Sequence, residues 1–203
     1  MKHTARAVDP CAGIQAATRE HQRRHGCGAY TYQDGTLPGV IAAAAGAHRV
    51  VEVGTALGYT ACSLASATSR TTVDTIEFGP DHVRLAREQI SSVGLAHRIA
   101  VHHGDGDDIL ASLPAGEFDV AFFDGFTPAT ATIAGLRTRL RVGGVLLAAN
   151  LTLGPAAEVL DGLNDHDCGS PTPSARQPSV SRERRSPRNE PDRPRAWPSG
   201  TVC

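Results

Sequence analysis

Residues 49–67, RVVEVGTALGYTACSLASA, decide the fold. Arg49 to Gly54 is a β-branched run stopped by glycine, the pattern of a short buried strand, and Ala61 to Ala67 is an apolar segment that reads as a helix. Gly54 and Gly58 in the loop between them let a ligand approach the backbone, and the helix start offers N–H groups without intrahelical partners to a carboxylate or phosphate. Thr55, Tyr59 and Thr60 complete the loop. Ala56 stands where a GxGxxG dinucleotide loop has its second glycine, which counts against a pyrophosphate ligand and an NAD-dependent oxidoreductase.

Outward from this stretch, Thr72–Glu77 (TVDTIE), Arg98–His103 (RIAVHH), Phe118–Asp124 (FDVAFFD) and Gly143–Ala149 (GGVLLAA) repeat the strand pattern. Helical patterns lie between them. Pro80 fits a first helical position, Val83, Ala86, Ile90 and Val93 recur at three- and four-residue spacing, and Gly94 fits the stop. A short helix is expected over Ile109–Leu113, and Pro128 opens another that turns Ile133, Leu136 and Leu140 inward. Five such repeats predict a Rossmann-like, open and mostly parallel sheet with helices on both faces and its ligand at the carboxyl ends of the strands. Two earlier helices, Cys11 to Arg24 and Leu37 to Ala47, form an N-terminal cap (residues 1–47) near that edge.

The chain has 203 residues, 40% of them apolar, with a formal net charge of -1, which excludes collagen-like and fully disordered classes. No apolar run approaches the ~18 residues of a membrane span, and Met1 to Pro10 lacks a secretory layout, so a cytoplasmic protein without membrane contact is expected. Cys11, Cys27, Cys62, Cys168 and Cys203 form no CxxC pair and read as reduced thiols. Composition divides the chain into a domain, residues 1–168, and a tail, residues 169–203. The tail holds seven prolines, seven arginines and six serines, and reads as disordered. Its prolines, its acids and its single aromatic, Trp197, argue against nucleic acid as a partner.

Three acidic positions sit at the carboxyl ends of strands or just after them: Glu52 inside the first strand before the loop, Glu77 at the end of the second, and Asp105 after the third. Glu52 leans into the interior, where a carboxylate needs a donor or a cation, and an amino-acid ammonium group would suit it. Glu77 can accept two ribose hydroxyl protons at the end of the second strand, with Phe78 beside it. In Gly104-Asp105-Gly106-Asp107-Asp108, Asp105 could accept from an exocyclic amine, whereas Asp107 and Asp108 read equally well as a helix cap.

These blocks together, VVEVGTALGYTACSLA, TIEFGPDHVRLAREQI, GDGDDIL, FDVAFFDG and LRVGGVLLAAN, resemble the class I S-adenosylmethionine-dependent methyltransferases, and within them the catechol and caffeoyl-CoA O-methyltransferase-like family. The resemblance covers about residues 36–152. It implies S-adenosylmethionine as cofactor and O-methylation of a small-molecule acceptor. It also implies that Glu52, Gly54 and Thr60 meet the methionine part, Glu77 the ribose, and Gly104 with Asp105 the adenine side. The family commonly holds a divalent metal such as magnesium on oxygen ligands. The matching positions are Asp124, also the candidate catalytic residue and a candidate cofactor contact, then Ala149 and Asn150. Ala149 replaces an aspartate of the family, which removes a ligand and leaves the use of a metal open.

The family's lysine base is also replaced, by Thr127, and Lys2 is the only lysine in the chain. A threonine hydroxyl is no base near neutral pH. His48, His102 and His103 remain as candidates, although a capping or solvated role fits them better. His21, His25 and Cys27 have a spacing compatible with a metal but read as a solvated helix face, because no further ligand clusters with them in sequence. After a helix at Pro155–Leu163 the last two strands of the family's seven-stranded sheet are missing from the pattern. That leaves GGVLLAA as an apolar edge, which could support a homodimer. The alternative function is a degenerate cofactor-binding protein that keeps the loop and has lost metal and base.

Overall fold

The structure, a computed structural model, describes residues 9–31, 35–125 and 129–149. Two helices come first, α1 (Ala12–His25) and α2 (Thr36–Ala44). Strands and helices then alternate as β1 (Arg49–Val53), α3 (Tyr59–Ala65), β2 (Thr72–Glu77), α4 (Pro80–Ser92), β3 (Ile99–His103), α5 (Gly106–Ser112), β4 (Phe118–Phe123), α6 (Thr130–Arg139) and β5 (Leu140–Ala148). The strands form one sheet in the order β3-β2-β1-β4-β5, and every neighbouring pair is parallel. The chain starts in the middle, builds one half outward, then returns to build the other. The carboxyl ends of β1 and β4 therefore lie side by side where the order reverses, the usual place for a crevice.

The alternation of β1 explains the two layers. Val50 points into a core shared with Leu64, Ala86, Ile90 and Phe122, while Val51 points into a second core with Ile76, Leu110, Phe118, Ile133 and Leu136. The first is covered by α3 and α4, the second by α5 and α6. Each fully buried Leu, Ile or Phe contributes roughly 1.5–3 kcal/mol on leaving water. A strand apolar on both faces can only be central in a sheet covered on both sides.

Some boundaries differ from the sequence reading. The helix α3 starts two residues early, at Tyr59, because Gly58 (φ +93°) already makes the turn. The helix α5 starts at Gly106 because Asp105 is its cap, with Oδ1 accepting from the N–H groups of Asp107 (2.9 Å) and Asp108 (3.4 Å). Asp107 and Asp108 are the capped residues, not the cap. The strand β5 begins at Leu140, three residues before the expected start, because Phe118 pairs with Leu140 across an irregularity in β4. Arg141 within this early stretch donates from Nε to Asp119 Oδ1 (2.6 Å).

Among the described residues, no helix is long and apolar enough to cross a membrane. The expected helix at Pro155–Leu163, the strand pair beyond it and the tail lie outside the described residues.

Candidate active site

The loop after β1 is shaped by close approach. Gly54 has φ +100°, and a Cβ on it would lie 2.7 Å from the Asp124 carbonyl oxygen and 2.8 Å from Gly125 N. The two chain ends are in backbone contact, which glycine alone permits. Ala56 also adopts a left-handed conformation (φ +46°) without being glycine. Its N–H donates to Glu77 Oε2 (2.8 Å), so the carboxylate at the end of β2 holds the loop. Glu77 Oε1 accepts from Gly79 N–H (2.9 Å) and lies 3.5 Å from His82 Nδ1. The Glu77 carboxylate raises the His82 imidazole to about 9, against the opposing effect of burial.

Asp124 ends β4, and its N–H donates to Val53 O (2.8 Å). Burial lifts its carboxyl to about 7, partly offset by Thr60 Oγ1, which donates to Oδ2 at 3.4 Å. These groups surround a cleft of about 1090 Å³, at the upper end of the ~300–1,000 Å³ usual for small-molecule sites. Its walls include Gly54, Thr55, Ala56, Gly58's neighbours Leu57 and Tyr59, Thr60, Glu77, Phe78, Gly104 and Asp124. Phe78 is 73% exposed, an aromatic ring held open at the rim. Ala29 and Tyr30, which follow α1, also line the cleft. Tyr59 turns its hydroxyl away to donate to Asp9 Oδ2 (2.7 Å), which with burial raises its pKa.

The structure does not bring every candidate to the wall. Gly58 carries the turn behind it, where an added Cβ would press on Ile90 at 3.0 Å. Asp105 caps α5, although Gly104 and Gly106 on either side line the cleft. Glu52 is completely buried behind the loop and burial raises its carboxyl to about 8. Thr75 Oγ1 donates to Glu52 Oε2 (2.6 Å) and lies 2.6 Å from Thr55 Oγ1, while Glu52 Oε1 is buried without a hydrogen-bond partner. This chain of hydroxyls supports the loop from beneath.

The candidate bases are elsewhere too. His48 precedes β1 at the opposite end of the sheet, His102 Nε2 is 2.8 Å from Asp74 Oδ1, and His103 Nε2 is 3.1 Å from the Phe78 carbonyl. His82 does line the cleft, and sequence reasoning passed over it. The available signal was its place in the first turn of the helix after Glu77, at the carboxyl edge of the sheet.

Among the described residues, those beside Asp124 do not make up the ligand set of a magnesium-type ion. Such a cation takes about six oxygen ligands. Ala149 instead packs on the apolar core and donates its N–H to Phe123 O (2.8 Å). Asn150 and Thr127 lie outside the described residues. At the end of β4, Asp124 offers a carboxyl whose Oδ2 accepts from Thr60 Oγ1 (3.4 Å).

Comparison with known proteins converges on this geometry. A family described as a methyltransferase domain matches residues 51–150. A protein of Mycolicibacterium smegmatis assigned as an O-methyltransferase is 32% identical over 161 residues, 77% of this chain and 76% of the relative. Among solved structures, the cofactor-bound Rv0187 from MTB is similar at 26% identity and TM-score 0.67, covering 80% of this chain and 81% of that one. The O-methyltransferase TomG from Streptomyces achromogenes, involved in tomaymycin synthesis and solved with S-adenosylmethionine, is similar at 25% identity and TM-score 0.65, covering 81% and 73%. With its strand order, its glycine loop and the carboxylate that ends β2, the chain belongs to the class I S-adenosylmethionine-dependent O-methyltransferases.

Proposed function

We propose that residues 1–168 carry a metal-independent methyl transfer to an oxygen of a small-molecule acceptor, with Asp124 as the proton acceptor. One observation carries this reading: Glu77, the Gly54 loop and Asp124 converge on one cleft at the reversal of strand order. The reading gives Glu77 the ribose hydroxyls. Oε1 accepts from Gly79 N–H and faces His82 Nδ1 at 3.5 Å, while Oε2 accepts only from Ala56 N–H among the hydrogen bonds described, so of about four acceptor sites the remaining capacity is on Oε2. Gly54, Thr55, Tyr59 and Thr60 take the methionine end, with Gly58 shaping the turn and Glu52 supporting it from behind. Phe78 and Gly104 take the adenine side, and Asp105, whose Oδ1 is used in capping α5, has Oδ2 left to accept from the exocyclic amine at the edge of the cleft. Bound there, S-adenosylmethionine supplies an electrophilic methyl group.

Asp124 receives the hydroxyl proton of the acceptor as its oxygen becomes nucleophilic. A carboxyl near 7 is matched to general base work at neutral pH. Thr60 fixes its orientation. The cap residues Ala29 and Tyr30 narrow the cleft, so that much of the rate comes from holding the reactants in line. The same reading keeps the protein in the cytoplasm, with Cys11, Cys27 and Cys62 outside any disulfide.

Calorimetric titration with S-adenosylmethionine and S-adenosylhomocysteine, in magnesium and in EDTA, tests the assignment. The expected result is binding of both, unchanged by EDTA and weakened about tenfold to a hundredfold in Glu77→Ala, the loss of charge-assisted hydrogen bonds. Binding without turnover on any phenol or catechol tried would favour the degenerate alternative.

A further inference from the structure

A second site lies where α1 meets α4. His21 faces inward near the end of α1, and Gly26 (φ +63°) reverses the chain after His25 so that Cys27 comes back toward His21. His82, in the first turn of α4, completes a group in which one donor atom from each of the three residues lies within 4.8 Å of the others. This corrects the reading of His21 and Cys27 as a solvated face. The missing ligand is supplied across the fold, 55 residues after Cys27 in the chain.

We propose that His21, Cys27 and His82 bind one zinc ion. Tetrahedral zinc with Zn–N near 2.0–2.1 Å and Zn–S near 2.3 Å separates its donors by roughly 3.3–3.8 Å, so the observed group needs to close by about 1 Å. An independent observation points to an ion. His21 Nε2 and His82 Nε2 are both buried without a hydrogen-bond partner, while the His21 and His82 rings approach edge to face at 5.3 Å between centroids. Buried ring nitrogens in that state are missing a proton acceptor or a metal. The far nitrogen of His82 faces the Glu77 carboxylate at 3.5 Å, the carboxylate–histidine arrangement that orients a zinc ligand from outside. Two imidazoles and a thiolate select zinc or cobalt over magnesium and calcium, which take oxygen. Zinc binding displaces two protons to solvent, that of the Cys27 thiol and that on Nε2 of the His82 imidazolium, whose Nδ1 proton stays toward Glu77, and water fills the fourth position. The ion ties the N-terminal cap to the helix that follows Glu77. The site stands on these three side chains and does not depend on the assignment of the cleft.

The test is titration of the full, tag-free, reduced chain with cobalt(II), followed by displacement with zinc. The expected result is one equivalent, intense tetrahedral bands in the visible, a thiolate charge-transfer band in the near ultraviolet, and loss of all of them on adding zinc. Cys27→Ser removes the charge-transfer band, and His21→Gln and His82→Gln each weaken zinc by more than about a hundredfold, beyond the effect of losing an outer partner. Zinc also raises the unfolding temperature of the unaltered chain, and this reading needs no variant to fold. Cobalt that stays six-coordinate, a charge-transfer band that survives in Cys27→Ser, or unchanged zinc affinity in a folded His82→Gln overturns the proposal.

Discussion

Single residues around the Gly54 loop carry opposing demands, and three of them make the demands measurable. Glu52 has its carboxyl raised from 4.5 to about 8, so the folded chain holds a proton that the unfolded chain releases. The contribution of Glu52 to stability is therefore fully present below about 4.5, is lost as pH rises toward 8, and is constant above. Denaturation midpoints measured across this range should show the slope, and Glu52→Gln should flatten it. Ala56 sits at φ +46°, where a side chain costs roughly 1–2 kcal/mol. Ala56→Gly should raise stability by about 0.5–1 kcal/mol in urea unfolding, once the greater freedom of unfolded glycine is subtracted. Asp124→Asn should lower kcat by roughly 10²–10⁴-fold with little change in cofactor affinity, the signature of a lost base. Sequence showed these residues as loop and strand-end positions. Local pattern marks Glu52 as buried, but its distance from the cleft depends on Thr75 in the next strand, which no local pattern contains.

At the scale of elements, the strands were legible because their apolar runs are unbroken and glycine or aspartate stops them. The strand β2 was read to the residue, and β1 and β4 were each read one residue long. The early part of β5 was not legible, since Leu140 continues the helical spacing of Ile133 and Leu136. Pairing with Phe118 decides its conformation. Asp119 explains how that irregular edge is held. Its carboxylate accepts from His48 N–H (2.7 Å), Arg49 N–H (2.9 Å) and Arg141 Nε (2.6 Å), joining the start of β1 to β5 through β4. Burial opposes ionisation there, yet these three donors win and hold the carboxyl below 3.8. Asp119→Ala should cost about 1–3 kcal/mol by chemical denaturation, because the two backbone N–H groups lose their acceptor. Gly54→Ala should cost more and should abolish cofactor binding, since the clash is with backbone that cannot move aside.

For the whole molecule, the parallel sheet and a ligand edge at the carboxyl ends of its strands were legible from the βα repeats, whereas the order β3-β2-β1-β4-β5, which puts the crevice between β1 and β4, rests on pairing between distant strands. The meeting of α1 with α4 was not legible, because it joins residues far apart in sequence that share no pattern. The sheet has two ends with different duties. Around Arg49, Glu117, Asp119 and Arg141 the amino end is fastened by ion pairs, and Arg49 also lies over the Phe118 ring at 4.6 Å. None of these residues lines the cleft, which opens at the carboxyl end. A laboratory lineage selected for new acceptors can thus vary the carboxyl-end loops while gains in thermal tolerance accumulate at the other pole, and the two sets of changes should combine additively.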